Sequence, residues 1–252
     1  MRLSAPSALV VGGGLLGAAV ARELTRRGAQ VVVASRTPRP HAALWRRLEL
    51  GRDGAPGLLP AGGRPRVWVA VAPKPGEPAD ALYGDKLTVA LRGWLAAGAL
   101  VTVCLPAGVE RPTEAGVTCL RLPILFGPGD HWLSPLVVAL REGHTARYPR
   151  GFDAFHPLFI EDAARAAVTL MGAGGSHVLG GPQRMDIAQV AAMLTERFPG
   201  RCVPHLFRRL SAEERGRLFS GAELEPWDAE RLGGRVVLSE WIERLPGPRR
   251  GR

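Results

Sequence analysis

The sequence predicts an α/β protein built on a doubly wound parallel sheet. Three observations carry this. Short apolar runs of strand length alternate with longer segments of helical periodicity between residues 8 and 126. A glycine-rich turn, Gly12-Gly13-Gly14-Leu15-Leu16-Gly17, joins the first run to the first helix. A second, valine-rich run comes directly after that helix, so strand, turn, helix and strand are complete by Arg36.

Ala8 to Val11 is a short apolar run that ends in glycines, as a buried strand does. Leu15 to Arg27 places Leu16, Val20 and Leu24 on one helical face, and Gly28 stops it. Gln30 to Ser35 is the second strand. His41 to Leu50 has helical character, and Gly51 to Pro65 is a glycine- and proline-rich loop. Arg66 to Ala72 is a central strand, Pro73 to Pro78 a loop, and Ala79 to Ala97 a helix. Leu100 to Leu105 and Val117 to Phe126 are strands.

From Gly127 the texture changes. His131 to Glu142 reads as a helix and Tyr148 to Phe155 as an aromatic-bearing loop. A helix spans Glu161 to Met171 and a short strand Ser176 to Leu179. Asp186 with Gln189 forms a capping box at the start of a helix that reaches Phe198, and Ser211 with Glu214 forms a second. Trp227 to Leu245 reads as two short helical pieces. The predicted organisation is a dinucleotide-type core over residues 1–126 and a small C-terminal substrate lobe over 127–252, with segments returning to the core.

Composition narrows the function classes. At 252 residues, 46% of them apolar, the chain can bury a sizeable core. No run of about eighteen apolar residues is free of charge, so no transmembrane helix is expected. Met1 to Gly17 has the outline of a short signal peptide, but it lacks a small-x-small cleavage site and runs into the glycine turn. It is read as the first strand. Cys104, Cys119 and Cys202 are scattered and offer no metal-ligand spacing, so no metal is expected, and reduced thiols fit a cytoplasmic protein. The net charge of +10 invites a nucleic-acid reading. Against it, Lys74 and Lys86 are the only lysines, and the arginines are dispersed outside the 246–252 tail. The arginine bias is that of a GC-rich genome. The charge implies a weak attraction for phosphate-bearing small molecules, not for nucleic acid or membrane.

The glycine turn gives the first function. Gly12 to Gly17 satisfies G-x-G-x-x-G between a strand and a helix, with a second strand at the right distance. Gly12 permits the tight turn, Gly14 lets backbone approach a pyrophosphate, and Gly17 lets helix and strand pack closely. The first turn of the helix, with Leu15 and Leu16, presents free N–H groups and a partial positive charge to the phosphates. This is the Rossmann arrangement for NAD or NADP. The second strand ends in Ser35-Arg36, not in the Asp or Glu that binds a ribose 2′-hydroxyl. A guanidinium fork suits a 2′-phosphate, with Arg39 in support, so NADP is favoured over NAD.

Four segments resemble one family. Leu120-Arg121-Leu122-Pro123-Ile124-Leu125-Phe126-Gly127-Pro128-Gly129-Asp130 is similar to the LRPxxVYGPGD signature of the extended short-chain dehydrogenases/reductases, the sugar-nucleotide epimerase/dehydratase group. Phe159-Ile160-Glu161-Asp162-Ala163-Ala164-Arg165-Ala166 resembles their VxVDDVARA segment. Leu179 to Leu194 resembles GGPExxTxxExA, and the Gly12–Gly17 turn resembles their cofactor loop. That loop is usually G-x-x-G-x-x-G, and Val11 stands here at its first glycine. The resemblance implies that Pro123 to Phe126 borders the nicotinamide. It also implies that His131, Tyr148 and Arg150 line the substrate cleft, and that the protein forms a homodimer or holds a regulatory partner.

The resemblance breaks at the catalytic residues. Catalytic members carry Tyr-x-x-x-Lys on a helix after the strand equivalent to Leu100–Leu105; the tyrosine is the general acid/base. This chain has only Tyr83 and Tyr148, and residues 107–116 leave no room for that helix. It is read as deleted. Tyr83 with Lys86 is a weak substitute pair at the wrong spacing and on the preceding helix, and His131 is a second weak candidate acid/base. Two functions remain open. One is an atypical NADP-dependent oxidoreductase or epimerase-like isomerase in which the cofactor supplies the chemistry and the protein orients a small substrate. The other is a non-catalytic NADP-binding redox sensor or regulatory subunit, as NmrA-like relatives suggest.

Overall fold

The computed structural model describes residues 8–38, 44–51, 58–59, 64–71, 82–106, 109, 114–150, 154–209 and 236–247. The chain forms two compact units: residues 1–105, 110–120 and 164–177, and residues 106–109, 121–163 and 178–252.

The first unit is organised by β1 (Ala8–Val11), whose four residues are all buried. The glycine turn leads into α1 (Leu15–Arg26), then β2 (Val31–Ser35), β3 (Leu44–Arg47) and β4 (Arg66–Val69). A single π-type turn (Leu82–Lys86) precedes α2 (Leu87–Ala96), and β5 (Leu100–Pro106) and β6 (Val117–Leu122) follow. After α4 (Ile160–Thr169), β10 (Gly175–Val178) completes a seven-stranded sheet of order β10-β6-β5-β4-β1-β2-β3. Pairing is parallel from β3 through β2, β1 and β4 to β5. The order runs one way from β1 to β3 and the other way from β1 to β6. That reversal is the switch point where such sheets take ligands, outside the carboxyl ends of β1 and β4. Central strands buried on both faces read as continuous apolar runs, as Leu9-Val10-Val11 and Val67-Trp68-Val69 do. Trp68 is buried, and its indole N–H donates to the Ala167 carbonyl at 3.0 Å.

The second unit contains β7 (Leu125–Phe126), α3 (Leu133–Arg141), β8 (Thr145–Arg150) and β9 (Leu158–Phe159), then α5 (Ile187–Arg197), β11 (Arg201–Arg209) and α6 (Leu238–Arg244). β7 pairs with β9 and β8 with β11, both parallel. Its core gathers Phe126, Leu133, Leu140, Phe155, Val190, Leu194 and Ile242. Phe126 meets Phe159 at 5.4 Å and Trp241 edge-on at 5.8 Å between ring centroids.

Several sequence expectations are corrected. The helix expected over His41–Leu50 is the edge strand β3 over Leu44–Arg47, with residues 39–43 outside the described set. Four residues with mixed apolar and charged side chains carry no reliable period. The pairing with Val32–Ser35 decides, and the Trp45 indole N–H fixes it by donating to the Ser35 hydroxyl at 2.9 Å. The strand expected over Val117–Phe126 breaks at Pro123, which has no N–H for a ladder, and its last residues join β9 instead. The loop expected from Tyr148 begins instead inside β8, which gains a partner in β11, a strand the sequence did not announce. In the expected Ala79–Ala97 helix, residues 79–81 lie outside the described residues, the π-type turn is kinked at Gly84 (ψ −116°), and the α-helix runs from Leu87. Of the two pieces expected over Trp227–Leu245, α6 is described; residues 210–235, with the Ser211–Glu214 box, lie outside the described residues. The Asp186 box is present, with side chain and backbone reciprocally bonded to Gln189 at 2.8 Å each.

Candidate functional site

The three motif glycines of the β1–α1 turn have different jobs, and their surroundings separate them. Gly12 has φ +108°, and a Cβ there would overlap the Ala70 carbonyl at the end of β4. Gly17 is buried, and a Cβ there would overlap the Gly12 carbonyl. Both are required by the fold itself. Gly14 is exposed at φ −73° and ψ −170°, a conformation open to any residue, and a Cβ there would meet nothing within 4 Å. It is the N-cap of α1, and among the described residues no side chain bonds the first-turn amides. The first-turn amides of α1, from half-buried Leu15 and Leu16 onward, therefore face an open approach with the positive end of the helix dipole behind them. A cradle that a Cβ would fill, beside uncapped amides, fits a pyrophosphate.

At the end of β2, Ser35 is buried and its hydroxyl is engaged twice. It donates to the Thr37 carbonyl at 2.6 Å and accepts from Trp45. Its only proton is thus directed at the chain's own backbone. Arg36, the next residue, is exposed, and no hydrogen bond or ion pair joins it to another described residue. Arg39 lies outside the described residues.

Tyr83 and Lys86 lie in the π-type turn of the first unit. Tyr83 is buried, and its hydroxyl donates to the Val71 carbonyl at 3.0 Å. The Lys86 stem lies against Gly51, where a Cβ would stand 2.8 Å from Lys86 Cγ. The Cys104 thiol is pushed up to about 12, first by burial and then by Cys119 nearby. That thiol is no nucleophile at neutral pH. No group of three or more metal-ligating side chains exists among the described residues.

The remaining sequence candidates belong to the second unit. Pro123 is buried at the break between β6 and β7. His131 is exposed in the turn before α3. Tyr148 is half-buried in β8 against the unit's core, and Arg150 ends that strand with its backbone paired to Arg209.

Two structural carboxylates were not singled out from the sequence. Asp130 is buried, and its carboxylate accepts from the amides of Gly127, Trp132, Leu133 and Ser134 and from the Ser134 hydroxyl, at 2.6–3.2 Å. It closes the Gly127–His131 turn and caps α3. Asp162 is buried and accepts the Val236 amide at 3.2 Å, while Gln183 accepts the Ser239 amide at 3.1 Å. Two motif segments thus hold the start of α6. The signal was the motif letters themselves, which resemblance alone ties to no role.

No protein-family model matches the sequence, and no curated protein does. Solved structures match closely in fold. MoeE5, solved with UDP-glucose and NAD, is 19% identical with a TM-score of 0.68, covering 94% of this chain and 96% of its own. The UDP-glucose 4-epimerase of Thermus thermophilus, solved with NAD, is 14% identical with a TM-score of 0.67 over 93% of this chain and 96% of that one. The NADPH-dependent quinone oxidoreductase QOR2 of Escherichia coli, solved with NADPH, is 16% identical with a TM-score of 0.67 over 94% and 99%. At these identities the likeness shows the fold: the chain has the α/β architecture of the nucleotide-sugar epimerases. No helix among the described residues is long and apolar enough to cross a membrane.

Proposed function

We propose that the chain binds NADP(H) at the β1–α1 turn and acts on a small molecule as an atypical oxidoreductase or isomerase that lacks a Tyr-x-x-x-Lys pair. The observation that carries this is the open position at Gly14 before an uncapped α1, at the switch point of the sheet. Gly12, Gly14, Gly17 and the amides of Leu15 and Leu16 would hold the pyrophosphate, and Arg36 the 2′-phosphate. Ser35 serves by shaping the turn through Thr37 and Trp45. The fold neighbours were solved with NAD or NADPH, and one also with UDP-glucose, which supports a nicotinamide dinucleotide and a phosphate-bearing substrate. The bound cofactor would supply hydride chemistry. Pro123, His131, Tyr148 and Arg150 are the residues this reading gives to the substrate.

The bond from Tyr83 to Val71 favours one alternative, a redox sensor or regulatory subunit that binds NADP without turnover. A titration separates the readings. NADPH is expected to bind the parent chain at micromolar levels, and Gly14→Val to remove that binding with the fold intact. Binding by the variant like the parent sinks the assignment. NADPH binding with no hydride transfer to any carbonyl or nucleotide-sugar substrate selects the sensor.

A further inference from the structure

We propose that Arg47, the last residue of the edge strand β3, is a second guanidinium for the cofactor's 2′-phosphate and sets NADP preference together with Arg36. This rests on the reading that the β1–α1 turn holds the dinucleotide. The geometry begins with register. β2 and β3 run parallel with Ser35 opposite Arg47, and the Leu48 amide continues the ladder to the Ser35 carbonyl at 3.1 Å. Parallel neighbours lie about 4.8 Å apart. Arg36 follows Ser35 in the bend just past β2, where strand alternation no longer sets its face, so the two arginines stand at the same end of neighbouring strands, one residue apart in register.

The face is fixed as well. Val10 touches α1, since a Cβ on Gly17 would stand 3.6 Å from Val10 Cγ1. Val33 is opposite Val10, and Ser35 is two residues on. In-register residues of parallel strands share a face, so Arg47 stands on the α1 side. It stands also at the carboxyl end of the sheet, the end from which β1 feeds the turn. A ligand that starts on the α1 amides and crosses the end of β2 meets Arg36 and then Arg47.

Charge argues the same way. Both arginines are exposed, and neither has a hydrogen-bond or ion-pair partner among the described residues. Like charges held near one another repel. A dianionic phosphate between them reverses the sign, and two guanidinium forks can share its three free oxygens. By contrast, Arg26 and Arg27 at the far end of α1 are both ion-paired with Glu23, at 2.9 and 2.7 Å.

The test compares NADPH and NADH dissociation constants for the full chain and for Arg47→Ala, Arg47→Lys, Arg36→Ala and the double variant. Arg47→Ala is expected to weaken NADPH about tenfold and to leave NADH within about twofold, as loss of one charge-assisted contact requires. Arg47→Lys should recover part of the loss, because it keeps the charge without the fork. The double variant should bind both cofactors alike. An unchanged NADPH constant in Arg47→Ala overturns the proposal, as does equal weakening of both cofactors. Unchanged NADPH affinity with new self-association by light scattering also overturns it, assigning Arg47 to protection of the sheet edge. Gly14→Val keeps the two readings apart. If it spares NADPH binding, the site itself is misplaced. If it abolishes binding while Arg47→Ala has no effect, only the role of Arg47 fails.

Discussion

Two helix starts in this molecule solve one problem in opposite ways. α1 begins in bare glycine, and among the described residues no side chain bonds its first-turn amides. α3 begins behind Asp130, whose buried carboxylate takes three amides at the helix start and a fourth from Gly127. α5 adopts α3's strategy with its Asp186–Gln189 box. Every helix has about four unpaired amides at its start, and a side-chain oxygen is the usual remedy. A helix that forgoes it gives up about 1 kcal/mol with alanine at the cap and about 0.3 kcal/mol with glycine. α1 is thus left open, the place where the proposed function puts a phosphate, whereas α3 and α5 are closed by side chains of the chain itself.

The closed state is tested most severely at Asp130. Replacing it with alanine leaves several buried amides without an acceptor, at about 1–3 kcal/mol each when water cannot reach them. Asp130→Ala is expected to lower unfolding free energy by about 3 kcal/mol in denaturant titration. A loss below about 0.5 kcal/mol, as at an ordinary surface site, would mean that water replaces the carboxylate and that α3 is not closed by it.

A reciprocal pair of substitutions tests open against closed. Gly14 has N-cap geometry and free space for a side chain, so Gly14→Asp should cap α1 from within. Apo stability should rise by about 0.3 kcal/mol, while NADPH affinity falls at least about a hundredfold, because the carboxylate occupies and repels the phosphate position. Asp186→Ala should do the reverse: a loss of about 1 kcal/mol in stability and no change in NADPH binding. If both variants moved stability alone, α1 would be a helix start like the others.

These elements also show how far the sequence could be read. The β1–α1–β2 unit was legible because its glycines, apolar runs and valines each obey a local rule, and the Asp186 box because it needs only two residues in register. β3 and β11 were not legible. An edge strand such as Leu44-Trp45-Arg46-Arg47 is defined by its neighbour and not by its own period, and β11 exists through β8. Within the site, Arg36 stood out by its place after a strand end. Arg47 became visible only through register, and the engagement of Ser35 only through Trp45 and Thr37. Tertiary pairing, not local propensity, placed Arg47 and the Ser35–Trp45 bond.

The smallest expected effect concerns Tyr83, the one tyrosine in the first unit. A general acid must present its proton to substrate, and a hydroxyl in that role contributes about 10²–10⁴ in rate. The Tyr83 ring is buried, and its proton points at the Val71 carbonyl just past β4, 3.0 Å away. Its neighbour Lys86 lies with its stem over Gly51. The hydroxyl therefore ties the π-type turn to the strand end, a structural bond of the kind worth about 1 kcal/mol. Tyr83→Phe should lower stability by about that amount, leave NADPH affinity unchanged, and leave any NADPH-dependent turnover within a few-fold of the parent. The three readouts are independent, so a structural role and a chemical one cannot be confused. A collapse of turnover by about a hundredfold or more, with affinity and stability retained, would require the hydroxyl to swing from Val71 to substrate in the working state. It would restore a relocated Tyr83–Lys86 pair.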